Sequence, residues 1–171
     1  LKRINESSSQ GPTNDLRVKP DISGIGTSVL STDVRSNLGV TNAYSSASGT
    51  SMAAPNISGS LVLLMEFFFE TTGELPLSST LKALVINNSL DAGEEGPDPN
   101  FGWGIMDSSK SAITISENVE YQTIHEGQIN QGEEIVLPLD FYNSYSDFSV
   151  TICWTDPEGE SLENALKCSK H

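Results

Sequence analysis

The feature that most restricts the fold is a long apolar stretch, Met52 to about Phe69, in which Glu66 is the lone charge and Gly59 the lone breaker after Pro55. Met52, Ala53, Ile57, Leu61, Val62, Leu63, Leu64, Met65, Phe67, Phe68 and Phe69 go nearly all the way round a helix, so the stretch is expected to be buried on every side. At roughly 1.5 Å per residue such a helix would be about 27 Å long, enough to cross a domain. Pro55 is expected in its first turn, where a missing N–H is tolerated.

Immediately before it stands Ser48-Gly49-Thr50-Ser51. Thr50 or Ser51 is expected as the N-cap, with Ser51 beside the unpaired N–H groups and the positive end of the helix dipole. An oxyanion formed during acyl transfer would be stabilised there. The small neighbours Ser48, Gly49, Ala53 and Ala54 would let a substrate backbone come close, which makes Ser51 a candidate nucleophile. A serine that only caps a core helix is the commoner use of the same pattern, and the cap alone does not separate the two.

A net charge of -14 argues against nucleic acid or an anionic membrane surface as a partner. The apolar run Leu61 to Phe69 is too short by itself to span a bilayer, so membrane insertion is not expected. Cys153 and Cys168 could pair in an exported protein, although two cysteines in so short a stretch more often stay unpaired or find partners elsewhere.

Upstream of the helix, Gly11-Pro12 marks a tight loop. Ile22 to Ser31 is expected as a short strand, a glycine-rich turn at Gly24-Ile25-Gly26 and a second short strand; with no third glycine at the required distance, a nucleotide loop is a weak alternative. The polar stretch Thr32 to Ser48 is expected as a surface loop whose serines, Ser45, Ser46 and Ser48, tie its backbone together and pre-position Thr50 and Ser51.

Downstream, Thr71-Thr72-Gly73-Glu74-Leu75-Pro76 should end the helix. A second helix, capped by Ser78 or Ser79 and running to about Asn88, should bury Leu81, Leu84 and Val85, with Leu77 a further candidate and Lys82 in solvent. The loop Asp91 to Pro99 clusters carboxylates that could attract calcium, but its spacing matches no EF-hand and a solvated loop is the simpler reading. Trp103 is expected on the core, and Asp107 or Ser108 should cap a short helix. From Ile113 on, alternating stretches (Tyr121 to Ile124, Glu134 to Tyr142, Phe148 to Trp154) predict a β-rich second unit. His125 is read as an exposed turn residue.

Gly49-Thr50-Ser51-Met52-Ala53-Ala54-Pro55, followed by an apolar helix containing Ser58-Gly59, resembles the active-serine signature of the subtilisin-like serine peptidases, the subtilases. Ser7-Ser8-Ser9-Gln10-Gly11-Pro12-Thr13, Val18-Lys19-Pro20-Asp21-Ile22, Leu81 to Asn87 and Gly102-Trp103-Gly104 resemble further segments of that family in the same order, so that the likeness covers about Ser7 to Ala112. The family's usual Ala-Pro-Gly is Gly24-Ile25-Gly26 here. The resemblance implies an α/β class: a partial subtilisin-like, doubly wound domain in residues 1–114, then the start of a β-rich domain in residues 115–171. Ser149 to Pro157 is similar to one strand and turn of the jelly-roll domain that follows some secreted subtilases.

By the same resemblance Ser51 is the nucleophile of a Ser-His-Asp triad, the substrates are proteins or peptides, and the protein is secreted or extracellular; no cofactor is assigned, with calcium at the acidic loop the one candidate. In subtilases the triad runs Asp, His, Ser along the chain, whereas both histidines here, His125 and His171, follow Ser51. The base, its orienting acid and the oxyanion-hole Asn are therefore expected upstream, in the remainder of the peptidase domain, and these residues alone are not expected to form a competent enzyme. Two other readings compete. An α/β-hydrolase would use Ser51, Asp98 and His125 in that order, but its nucleophile must follow a buried apolar strand, which Val40 to Ser45 is not, and its motif ends in glycine where Ala53 stands. A non-catalytic interaction module would keep the peptidase-like part as an inactive piece.

Overall fold

The computed structural model describes residues 3–34, 43–138 and 148–155. They form a mixed α/β arrangement in the order β1 (Val29–Asp33), β2 (Ala43–Ala47), α1 (Thr50–Thr72), α2 (Ser78–Asn87) and α3 (Ser108–Tyr121). The polar stretch before the helix is no simple loop: β1 and β2 pair antiparallel from Val29↔Ala47 to Asp33↔Ala43. Thr32 and Tyr44, directly opposed, are the residue types that favour such a pair.

The apolar helix forms, and it is longer than its hydrophobic pattern. Its 23 residues span about 34 Å. Gly73 ends it with φ at 82°, a left-handed cap that glycine adopts without steric cost, and its N–H closes on Phe69 O at 2.8 Å. The helix begins two residues before Met52, so Pro55 lies beyond the first turn and removes the N–H that would have bonded Ser51 O.

Burial departs from expectation. Within α1 only Leu64 and Phe68 are buried, while Val62 and Leu63 are 62% and 66% exposed. The physical reason is that among the described residues α1 has neighbours on one side: Leu64 and Phe68 meet Leu84 and Val85 of α2 and Ile115 of α3, with Ile22, Leu61, Phe67, Met106, Ala112 and Ile124 around them. By length and composition α1 could cross a bilayer, a test that the run Leu61 to Phe69 fails by itself.

Helix α2 buries Leu84 and Val85 as expected, but Leu77 is exposed and stands at the N-cap without a capping side chain. Glu126, from the far side of α3, supplies the acceptor: its Oε1 takes the Leu77 N–H at 3.0 Å and the Thr80 hydroxyl. Lys82 is not merely solvated, since its Nζ lies 2.8 Å from Asp21 Oδ1. Helix α3 is capped by Asp107, whose Oδ1 accepts from Lys110 N at 2.9 Å.

Helical structure persists to Tyr121, where alternation predicts a strand. Ala112 and Ile115 on one face, with Ser111 fully buried and bonded back to Asp107 O at 2.9 Å, are sufficient to seat it. After α3 the described residues contain no strand. Residues 139–147, which hold part of the expected Glu134 to Tyr142 stretch, and residues 156–171, with Cys168 and His171, lie outside the described residues. Among the described residues Cys153 has no disulfide partner.

Between α2 and α3 the chain closes against residues 20–23. Ser23 N donates to Gly104 O and Met106 N to Ser23 O, both at 2.9 Å. Gly102 has φ 65°, and a Cβ there would lie 2.0 Å from Pro20 O, so glycine is required for both conformation and clearance. Its neighbour Trp103 turns outward at 43% exposure, and Phe101 fills the core in its place at 7%.

Candidate active site

Ser51 is the second residue of α1, and it is exposed. Neither Thr50 nor Ser51 is the cap. Gly49 takes that position with φ 151° and ψ 172°, and its carbonyl receives the N–H groups of Met52 at 3.0 Å and Ala53 at 3.2 Å. The amides of Thr50 and Ser51 precede those bonds and point out of the helix start, where partial positive charge accumulates. An anionic oxygen next to Ser51 would meet both.

Two bonds hold this start in place from outside the helix. Gly49 N donates to Gly26 O at 2.8 Å, and Ser28 N donates to Ser48 Oγ at 2.8 Å, with Ser28 itself at φ 53°. Ser48 thus does tie the loop as the sequence suggests, but to the residue before β1 and not to its own backbone. Gly24-Ile25-Gly26, expected as a turn, runs directly under the first turns of α1. A cleft of about 250 Å³ opens on that side, with Gly24, Gly26, Thr27, Gly49, Thr50 and Ala53 on its wall.

Around the site the charged groups serve to tie elements together. Asp21 lies between Lys19 and Lys82. Partial burial by itself would raise the Asp21 carboxyl, but the bonds from Lys19 and Lys82 outweigh it and hold the group below the usual carboxylate range. Asp21 raises the Lys82 ammonium in return.

Among the described residues no side chain is hydrogen-bonded to Ser51 Oγ, and no histidine precedes Ser51 in the sequence. His125 is exposed beyond α3, and His171 lies outside the described residues. The Ser51, Asp98, His125 alternative is not assembled: Asp98 is 5% exposed, its Oδ1 accepts from Asn100 N at 2.6 Å and Phe101 N at 2.8 Å, and its Oδ2 has no partner. Its carboxylate closes the turn that presents Phe101. Asp91 likewise bonds within its own loop, accepting from Gly96 N at 3.0 Å. Among the described residues no group of three or more His, Cys, Asp or Glu side chains is arranged to hold a metal.

Comparison with known proteins is consistent with this geometry. Residues 2–104 match the sequence profile of the Subtilase family. The chain is 38% identical over 104 residues to the serine protease/ABC transporter B family protein tagD of Dictyostelium discoideum, a match covering 48% of this chain and 6% of that protein. It is 26% identical over 183 aligned positions to tagA, of the same description and organism, covering 89% of this chain and 10% of the relative. The chain therefore spans at most about a tenth of these relatives' length. Among solved structures, the CspB protease of Clostridium perfringens aligns with a TM-score of 0.52 and 26% identity over 61% of this chain and 22% of that one.

Proposed function

The chain belongs to the subtilase family, and on that premise we propose that it carries the nucleophile of a serine endopeptidase, Ser51. The observation that carries this reading is the exposure of Ser51 at the second position of a long helix, with glycine and alanine close by on either side in the chain. Ser51 Oγ attacks the carbon of the scissile peptide while a histidine outside these residues takes its proton, held by an aspartate that is also elsewhere. The Ser51 N–H donates to the oxyanion. Collapse of the tetrahedral intermediate breaks the C–N bond, the histidine returns the proton to the leaving amine, and water then releases the acyl group by the same steps.

The exposed side of α1 supports the idea that more of the peptidase domain packs here, completing a doubly wound subtilisin-like fold. Val62, Leu63 and Phe69 form an apolar surface that water disfavours, and the alignment to the CspB protease reaches 22% of that chain. The proposal extends to protein or peptide substrates, action outside the cell without insertion of α1 into a membrane, and a β-rich, jelly-roll-like unit built from residues after α3.

Replacing Ser51 by Ala in the full-length protein is expected to abolish labelling by a fluorophosphonate probe and to lower kcat by at least about 10⁴-fold. The 171 residues alone should label weakly at most. Undiminished labelling of Ser51→Ala would show that another group is the nucleophile and would favour the non-catalytic module for this part.

A further inference from the structure

Building on the reading of Ser51 as nucleophile, we propose that Gly26 and Ser48 are positioning residues that set how far Ser51 stands out of the helix start. The β1–β2 ladder has its last pair at Val29↔Ala47. The two chains do not part there. Ser28 adopts φ 53° and its N–H reaches Ser48 Oγ at 2.8 Å, so a side chain takes over the role of the next ladder carbonyl. One residue further, Gly49 N bonds Gly26 O at 2.8 Å.

Gly49 is therefore gripped from both sides. Its N–H is held by Gly26, and its carbonyl takes the first two amides that close α1, those of Met52 and Ala53. Ser51 lies between these anchors, so a shift of Gly49 or of the first turn carries its backbone with it.

Clearance makes the grip close. A Cβ on Gly26 would fall 2.7 Å from Gly49 O, 2.9 Å from Ala53 Cβ and 3.2 Å from Ala53 N. Gly26 is not among the residues with positive φ, so glycine is needed there for room and not for an unusual conformation. Gly24 repeats the arrangement one turn along, since a Cβ on it would be 2.7 Å from Ile57 Cγ1 and 3.2 Å from Ala53 O. A methyl group on Gly26 would have to lift the first turn of α1, and with it the Ser51 hydroxyl, by a good fraction of an ångström. Attack by an oriented nucleophile is sensitive to displacements of that size.

The test uses the full-length protein, reading the rate of fluorophosphonate labelling, kcat and KM on a peptide substrate, and thermal unfolding. Gly26→Ala is expected to lower the labelling rate and kcat by about 10- to 100-fold with KM changed less than about twofold. Ser48→Ala should lower both by about 3- to 10-fold, and Ser48→Thr, which keeps an acceptor oxygen, should restore them. Gly127→Ala, at a glycine where an added methyl would meet nothing within 4 Å, should leave them unchanged. A folded Gly26→Ala protein that labels at the parent rate overturns the inference, as does a loss seen in KM and not in kcat. If Gly26→Ala does not fold, the Ser48 pair decides: parental rates in Ser48→Ala, or no rescue by Ser48→Thr, overturn it. Normal rates in these variants with Ser51→Ala silent would sink the positioning role alone, whereas labelling of Ser51→Ala would sink the nucleophile reading beneath it.

Discussion

The region around Ser51 and the region after α3 are held to the rest of the molecule in opposite ways. Around Ser51 backbone mostly meets backbone, Gly49 on Gly26 and, in the same cleft wall, Ser23 on Gly104 and Met106, with glycines at 24, 26 and 102 allowing the approach and Ser48 Oγ adding one side-chain bond to Ser28 N. After α3, side chains reach across instead. Glu126 caps α2, and Asn87 Oδ1 accepts from Ser149 Oγ at 2.8 Å and Thr151 Oγ1 at 3.0 Å. Backbone bonds fix a position closely, while contacts through exposed side chains hold a segment without defining its backbone so tightly. The first suits the role proposed for Ser51. The second suits a looser attachment, and it leaves Val150 and Ile152 facing outward at 59% and 76% exposure.

That contrast can be broken at either end. The largest structural effect is expected from Gly102→Ala, which combines an unfavourable φ with a clash against Pro20 O. A cost of about 2–4 kcal/mol is expected, read as faster hydrogen exchange at Ser23, Gly104 and Met106. Unchanged protection there would mean that the backbone closure is softer than its geometry implies.

At the other end a smaller penalty should follow from Glu126→Ala, which leaves the start of α2 uncapped. Loss of the acceptor is expected to cost about 1 kcal/mol, visible as increased exchange at Leu77 and through the first turn of α2. Exchange confined to the segment after α3, with α2 unaffected, would show that Glu126 merely tethers its own loop.

The smallest effect belongs to the Asp21–Lys82 pair, whose side chains are 37% and 46% exposed. Solvent screening limits it to about 0.5 kcal/mol. The Asp21 carboxyl is held below its ordinary value of 3.8, so its contribution is fully present above that pH and is lost as pH falls through the lowered folded value. Lys82→Met should weaken α2 slightly at neutral pH and make no difference once Asp21 is protonated. A neutral-pH effect that persists in strong acid would point to packing of the lysine stem as the cause.

Much of the local structure is legible in the residues. Apolar content from Met52 to Phe69, Gly73 at its end and Asp107 before α3 each act within a few positions of themselves, and the structure has these features where the sequence places them. Ser51 is only a candidate by the same local logic, from its place before an apolar helix and its neighbours' small size; the resemblance of Gly49 to Pro55 to the active-serine signature is what singles it out. Legibility fails where a decision depends on a distant partner. Leu77 has no cap in its own neighbourhood and takes one from a residue 49 positions away. Lys82 reads as solvated because its partner, Asp21, lies on another segment. Trp103 reads as core, yet Phe101 takes that place and the Asp98 turn directs Trp103 outward.

By itself the sequence determined which segments become the first two helices and where they stop, because turn preferences, caps and hydrophobic periodicity act over a few residues. Tertiary structure decided the cap at Gly49, the depth of Ser51, the one-sided burial of α1 and the cross-chain bonds of Glu126 and Asn87. Each of those depends on clearances and donor–acceptor distances between segments far apart in the chain, and no local pattern encodes a distance.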